Sequence, residues 1–204
     1  MTHHTIKAVI CDFGNVLLEW NPWYVYRRYF KDEDAMEEFF REVNFMDWNA
    51  KQDKGRTFKE GVAELSVQFP QHARLILAYY DDWKDSIGDS ISGTVEILKR
   101  LKQAGYPLYG LSNWSAETFP LAREKYDFFE LFDDIVISAE VGFVKPEPEI
   151  YQIALTRIGR PVHECLFIDD SSANIDQAKH MGFVTIHFTS PSQLEGELIQ
   201  MGIL

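Results

Sequence analysis

Positive charge is scarce in this chain. Its 20 lysines and arginines face 32 aspartates and glutamates, which gives a net charge of −12 over 204 residues. Such a field repels nucleic acid and anionic membrane surfaces, so neither is expected as a partner. Cysteine is scarcer still. Cys11 and Cys165 are the whole complement, and each lies in an apolar, strand-like run. That pattern points away from an oxidising compartment and toward small buried side chains. No apolar run approaches the roughly 20 residues that cross a bilayer. The start, Met1-Thr2-His3-His4-Thr5, has no basic stretch leading into an apolar one, so no export signal is expected. The expectation is a soluble cytoplasmic protein with no obligate protein partner. His3 and His4 carry no assigned role, and internal repeats and low-complexity segments are missing.

Apolar and aromatic residues are plentiful, at 46% and 14%. That is ample for a packed core but short for two large domains, so one domain with an inserted module is expected. The organising stretch is Ala8 to Leu17. It opens within an apolar run, Ile6 to Cys11 broken only by Lys7, which reads as a strand buried on both faces of a parallel sheet. It ends in Asp12, followed by Phe13-Gly14-Asn15. In an open α/β sheet, ligands bind just beyond the carboxyl ends of the strands. An isolated Asp there is more often a cap or a turn residue, so its meaning depends on what else reaches the same place.

The texture then changes. Asn21-Pro22 reads as a helix start, and Ala35-Met36-Phe39-Phe40 and Val62-Leu65-Phe69 have helical spacing. Thr57 to Glu60 fits a capping box. No strand is expected between Trp20 and Ile87, and the segment reads as a bundle of about four helices. From Ser92 helices and strands alternate. Strands are expected at Leu108–Leu111, Ile135–Ser138, Cys165–Ile168 and Phe183–Ile186. Helices are expected from Val95 to Leu101, Ala116 to Tyr126 with a break at Pro120, Pro148 to Ile158, Ala173 to His180 and Ser192 to Met201. The predicted fold is α/β, a doubly wound, Rossmann-like parallel sheet with an inserted four-helix cap. Its core is expected over 1–17 and 88–204 and the cap over 18–87. Hinge motion is expected at Leu17–Pro22 and Ser86–Ser92.

Polar groups gather at the predicted strand ends. Asp12 follows the first strand, Ser112-Asn113 the second and Asp169-Asp170 the fourth, while Lys145 sits in the loop after the third. This set suits anionic transfer chemistry. A carboxylate can form a covalent acyl-phosphate. Clustered carboxylates call for a hard cation such as Mg²⁺. Lysine is a point charge for phosphate, and backbone N–H groups at a helix start hold its oxygens.

In spacing and order these motifs resemble the haloacid dehalogenase superfamily of hydrolases, and the early helical insertion resembles its subfamily I with a helical cap. The resemblance covers essentially the whole chain. It implies Asp12 as nucleophile and Lys145 as its catalytic partner. Phe13, Gly14, Asn15, Ser112, Asn113 and Lys145 would bind phosphate, and Asp12, the Gly14 carbonyl, Asp169 and Asp170 would hold Mg²⁺. Asp-Phe-Gly-Asn-Val and Asp-Asp-Ser-Ser-Ala-Asn look most like a bacterial branch of sugar-phosphate phosphatases that includes α-D-glucose-1-phosphate phosphatase. The implied substrate is a small phosphorylated metabolite. One departure stands out. Family phosphatases mostly carry a second Asp, the general acid and base, two residues after the nucleophile. Here that position is Gly14, and the amide of Asn15 cannot shuttle a proton at neutral pH. A cap residue, a bound water or a good leaving group would have to substitute. The named branch also carries Gly-Asn there.

Two other readings share these features. A 2-haloacid dehalogenase uses the same Asp nucleophile without the second Asp, but needs no metal, so Asp169-Asp170 weighs against it. Ser171-Ser172-Ala173-Asn174 echoes the dehalogenase pattern one step late. A binding or regulatory module with vestigial catalysis is supported by Gly14 and opposed by every other motif residue. Among smaller signals, Asn174 is a candidate to orient Lys145 or Asp170. The cap aromatics Trp48, Tyr79, Tyr80 and Trp83 read as packing, with Trp20, Trp23 and Trp114 the candidates to face a substrate. His163 and His180 read as surface or packing residues.

Overall fold

A computed structural model of the protein describes residues 6–204; His3 and His4 lie outside the described residues. The first strand, β1 (Ala8–Cys11), is buried at every position, as its unbroken apolar run requires. It pairs in parallel with β4 (Leu108–Ser112) on one side and β6 (Cys165–Asp169) on the other. The edges are β5 (Asp134–Ile137) and β7 (Val184–His187), so the order is β5-β4-β1-β6-β7. Counted within this sheet alone, that is the 3-2-1-4-5 order of a doubly wound fold, with its reversal point between β1 and β6. Asp12 and Asp169 end these two strands. Val9 and Cys11 face one layer of core and Ala8 and Ile10 the other. The second layer is closed by α9 (Pro148–Ile158) and α10 (Ser172–Met181) through Tyr151, Ala154, Ile175 and Ala178. The first includes α6 (Ser92–Gln103) and α11 (Pro191–Gln200).

The insertion differs from expectation in two ways. Five helices lie between residues 23 and 81: the short α1 (Trp23–Tyr26), then α2 (Glu33–Glu42), α3 (Phe45–Asp53), α4 (Phe58–Gln68) and α5 (Ala73–Asp81). They are joined to the core by a two-stranded antiparallel ribbon of β2 (Leu18–Trp20) and β3 (Ile87–Ser90). These strands escape periodicity because they are three and four residues long and polar in part. The capping box forms as expected, with the Thr57 hydroxyl and the Glu60 carboxylate each taking a backbone N–H. Tyr26, Phe40, Phe45 and Tyr79 build the module's interior, with ring centroids 4.5 Å apart for Phe40–Phe45 and 4.8 Å for Phe45–Tyr79. Ring pairs of this kind give a helical module a core without length.

Two further elements depart from the sequence reading. Pro120 does not break a helix. It opens α7 (Phe119–Lys125), where its missing N–H costs nothing. A short helix, α8 (Ser138–Val141), follows β5 directly. No helix among the described residues is long and apolar enough to cross a membrane.

Candidate active site

The strand ends meet as the pattern requires. Asp12, 8% exposed, Asp169, fully buried, and Lys145, 4% exposed, form one contact group. The Lys145 ammonium lies 2.9 Å from Asp12 Oδ1 and 2.6 Å from Asp169 Oδ2. Asp12 Oδ1 also accepts from Ser112 Oγ at 2.7 Å and from the Phe13 N–H at 2.7 Å. These contacts all fall on Oδ1 and none on Oδ2. Burial works against the charge on Lys145, but the attraction of Asp12 and Asp169 outweighs it and raises the pKa of the ammonium. Burial likewise raises Asp12, against the pull of Lys145.

The residues that flank these groups hold them in place. Asn113 lines the cavity, and its side-chain amide clasps the Lys145 backbone, accepting from the Lys145 N–H at 2.7 Å and donating to its carbonyl at 2.9 Å. Asn174 was expected to orient Lys145 or Asp170. It binds Asp169 instead, donating to both oxygens at 3.0 and 3.1 Å, because one turn of α10 brings its amide back over that carboxylate. The Ser171 N–H completes the set at 2.8 Å. Asp169 is thus fully engaged by the protein.

The turn after Asp12 is wound tightly. The Phe13 carbonyl accepts from Leu17 at 2.8 Å, and the Asn15 N–H donates to Leu18 O at 2.7 Å. That N–H is therefore spent within the turn and is not open to a phosphate, contrary to expectation. Asn15 adopts φ +54, a region Asn tolerates better than most residues. Its side-chain carbonyl accepts from the Trp20 N–H at 3.1 Å, and its amide favours the charged form of the Asp170 carboxylate. Phe13 is anchored between rings, 5.0 Å from Phe129 and 5.2 Å from Phe132. Its ring fills the space beside Gly110, where any side chain would collide with it.

Oxygens of Asp12, Asp169 and Asp170 lie within 4.8 Å of one another. Burial and the charge of Asp169 raise Asp170 above the usual carboxylate range. Three carboxylates against one ammonium leave a formal charge of minus two. At an effective dielectric of about 20, two like unit charges 4 Å apart repel by about 4 kcal/mol. A phosphate dianion would not enter such a site unaided. A hard divalent cation on an all-oxygen donor set fits what is present.

Above the strand ends is a cavity of about 240 Å³. Its floor is Asp12, Gly14, Asn15, Ser112, Lys145 and Asp170. Its roof comes from the insertion and its ribbon: Trp20, Asn49, Asp53, Phe58, Tyr79 and Trp83. Trp20 and Trp114 line it as expected, but Trp23 packs against Phe40 instead, with centroids 5.7 Å apart. Asp53 and Asn49 were missed by sequence reasoning. A signal was present for Asp53, which is the last residue of α3, where the helix dipole disfavours negative charge.

The model of haloacid dehalogenase-like hydrolases matches residues 6–182. The chain belongs to that family. Among its relatives, this hydrolase is 29% identical to the sesquiterpene phosphatase astK of Aspergillus oryzae over 198 residues, 97% of each chain. It is 29% identical to an (S)-2-haloacid dehalogenase of Pseudomonas putida over 119 residues, 58% of this chain and 50% of that one. A family enzyme from Bacteroides thetaiotaomicron, solved with magnesium and inorganic phosphate, shares the fold with a TM-score of 0.72 at 23% identity, covering 91% of this chain and 95% of that one.

Proposed function

We propose that this hydrolase is a Mg²⁺-dependent phosphatase of small phosphomonoesters, working through an aspartyl-phosphate on Asp12. The observation that carries the reading is the third carboxylate. Asp170 stands beside Asp12 and Asp169, where a reaction releasing halide would have no use for it and a cation-assisted phosphoryl transfer would. The likeness to a phosphatase along almost the whole chain supports the same conclusion.

In this reading Asp12 Oδ2, the oxygen without a side-chain partner, attacks phosphorus. Lys145 and Ser112 turn from Asp12 to the transferred oxygens as these approach, so the ammonium is never left without an anion. The Phe13 N–H is the backbone donor of the turn that already faces the nucleophile. Mg²⁺ would be held by Asp12, the Gly14 carbonyl and Asp170, with Asp169 as a positioning carboxylate; when bound, it neutralises charge on the phosphoryl oxygens. Asn113 and Asn174 keep Lys145 and Asp169 from shifting. The residues of 18–87 serve as a cap that excludes water. For the leaving group, the aromatic roof supports an alcohol with an apolar face. Such faces occur on sugar rings, in line with the sugar-phosphate branch, and on isoprenoid alcohols, in line with astK.

The test is phosphate and halide release measured side by side, with and without Mg²⁺, over sugar phosphates, isoprenyl phosphates, an aryl phosphate and 2-haloacids. Mg²⁺-dependent phosphate release that disappears in Asp12→Asn, with the fold intact by circular dichroism, is the expected result. Metal-independent halide release would move the protein to the dehalogenase branch.

A further inference from the structure

With Asp12 as nucleophile and Asp170 held for Mg²⁺, the floor of the cavity has no further group free to carry a proton. Position 14 is glycine. The Asn15 side chain is an amide, which carries no acidic proton at neutral pH, and its carbonyl already accepts from the Trp20 N–H. Lys145 is bonded to two carboxylates. Hydrolysis of a phosphomonoester nevertheless needs a proton for the leaving alcohol and a base for the attacking water. Among the described residues that line the cavity there is no histidine and no cysteine, and Asp53 is the sole carboxyl group outside the strand-end cluster.

We propose that Asp53 is the general acid and base of this hydrolase, set in the roof in place of the carboxylate that Gly14 lacks. The proposal rests on the phosphatase reading above. Asp53 is held without being saturated. Its Oδ2 accepts from Asn49 Nδ2 at 3.2 Å, one helical turn away. Its backbone carbonyl accepts from Ser138 Oγ, so α3 is pinned to the end of β5 at this residue. The carboxyl thus stands at a fixed place in the wall of the cavity that Asp12 also lines. Burial pushes it up to about 7, with the Ser115 backbone N–H pulling the other way. A group that titrates near the working pH is suited to give and take one proton.

A second observation points to a ligand at the same place. Tyr79 is fully buried and lines the cavity. Its hydroxyl lies near Trp20, Trp83 and Ser86 yet completes a hydrogen bond with none. Buried hydroxyls rarely stay unpaired. The charge of Asp53 reaches this phenol and, after burial, is the next cause of its raised pKa. Both groups line one cavity, where a leaving oxygen or a water would complete their hydrogen bonding.

The proton balance closes. Asp12 Oδ2 bonds to phosphorus as the bond to the alcohol oxygen breaks, and protonated Asp53 gives that oxygen its proton. The alcohol leaves and water enters. The Asp53 carboxylate takes a proton from water as its oxygen bonds to phosphorus. The Asp12–phosphorus bond breaks, releasing phosphate and restoring both residues.

The experiment compares wild type and Asp53→Asn, with Mg²⁺, on p-nitrophenyl phosphate and on an alkyl phosphate. The nitrophenolate needs no acid; the alkoxide does. Asn keeps an acceptor for Asn49 and Ser115 but carries no proton. The expected loss of kcat/KM on the alkyl phosphate is roughly 10²–10⁴-fold. On the aryl phosphate the first step is spared, and acid-quenched enzyme accumulates phosphate on Asp12, read by mass spectrometry. Equal losses on both substrates, or none, would overturn the assignment while leaving the phosphatase reading intact. A wild type that releases phosphate from neither would overturn both. Should Asp53→Asn fail to fold, wild type on a series of aryl phosphates decides: a shallow dependence on leaving-group acidity supports the acid, and a steep one removes it.

Discussion

The floor and the roof of the cavity are built on opposite principles. On the floor Lys145, and the Asp169 it pairs with, are over-determined. Lys145 meets two carboxylates, its backbone is clasped by Asn113, and Asp169 takes bonds from Asn174, Ser171 and Lys145. On the roof, Asp53 has one side-chain partner and the hydroxyl of Tyr79 has none. In the phosphatase reading, a preorganised floor would hold the part of the reaction that is the same for every substrate, a phosphoryl group in transit. An under-satisfied roof reserves its polar capacity for the part that varies. Buried polar groups cost stability when left unpaired, so the roof carries a cost that the floor avoids.

The sharpest break of this contrast is on the floor. Lys145→Met should leave Asp12 and Asp169 buried without their counter-charge. The expected loss is about 3–5 kcal/mol near neutral pH, measured by urea unfolding, because one partner of a buried pair has been removed. The loss should shrink as pH falls and Asp12, whose pKa burial raises, loses its charge. A stability within about 1 kcal/mol of wild type would show that the floor is not electrostatically determined.

Moving the proton carrier between the two regions should give a smaller effect. A side chain begun at Gly14 meets no atom within 4 Å. Gly14→Asp in the Asp53→Asn background should recover at least about tenfold of the lost kcat/KM on alkyl phosphates, within the contribution of one general acid. Failure to recover, in a double variant that folds, would mean that roof and floor are not interchangeable as proton sources.

The roof's own cost can be read from pH. A carboxyl whose pKa is raised in the fold from 3.8 to about 7 favours the neutral form, so its charging weakens the folded state. The penalty is absent below about pH 4, grows as pH rises, and is complete above about pH 7. Asp53→Asn removes it. The metal-free variant should match wild type at pH 4 and exceed it by ~2 kcal/mol at pH 8. That is half of the ~4 that the full interval would give at about 1.4 per pH unit, since the cavity admits water on one side. A gain that does not vary with pH would place its origin elsewhere. Smallest of all, Tyr79→Phe should stabilise by up to about 1 kcal/mol in thermal melts, by deleting an unpaired hydroxyl without opening a cavity. A loss instead would show that the hydroxyl has a partner in solution.

The same contrast governs what could be read in the sequence. The floor is legible because Asp12, Ser112 and Asp170 sit at or just beyond the ends of strands whose apolar runs are visible, with Lys145 in the loop region that follows another, and a parallel sheet gathers strand ends by construction. Ser112, Lys145 and Asp169 need no knowledge of side-chain packing to be brought to Asp12. What the floor does with them is less legible: Asn113 and Asn174 turn to their neighbours, and the Asn15 N–H is used up by its own turn. The roof depends on how helices of the insertion stack, which periodicity does not state. Asp53 and Tyr79 lie on different helices, and Tyr79 reads as one more core aromatic, which its ring is. The ribbon that joins the insertion to the core is hidden for another reason. Leu18-Glu19-Trp20 and Ile87-Gly88-Asp89-Ser90 are too short to show alternation, and their register shifts between Leu18 and Trp20.

That ribbon has a consequence for what this architecture permits. Leu18 lies opposite Ser90 and Trp20 opposite Ile87, so the chain departs from the core and returns to it at adjoining points. Residues 21–86 therefore bridge no distance in the sheet, and the parallel order of its strands would be the same with a different segment on the same stem. A graft at Trp20 and Ile87 adds a loop whose closure cost grows only slowly with its length. The roof is in this sense an exchangeable part: in the proposed reading, selection or an engineer could rebuild what the enzyme accepts while the strand ends stay where they are.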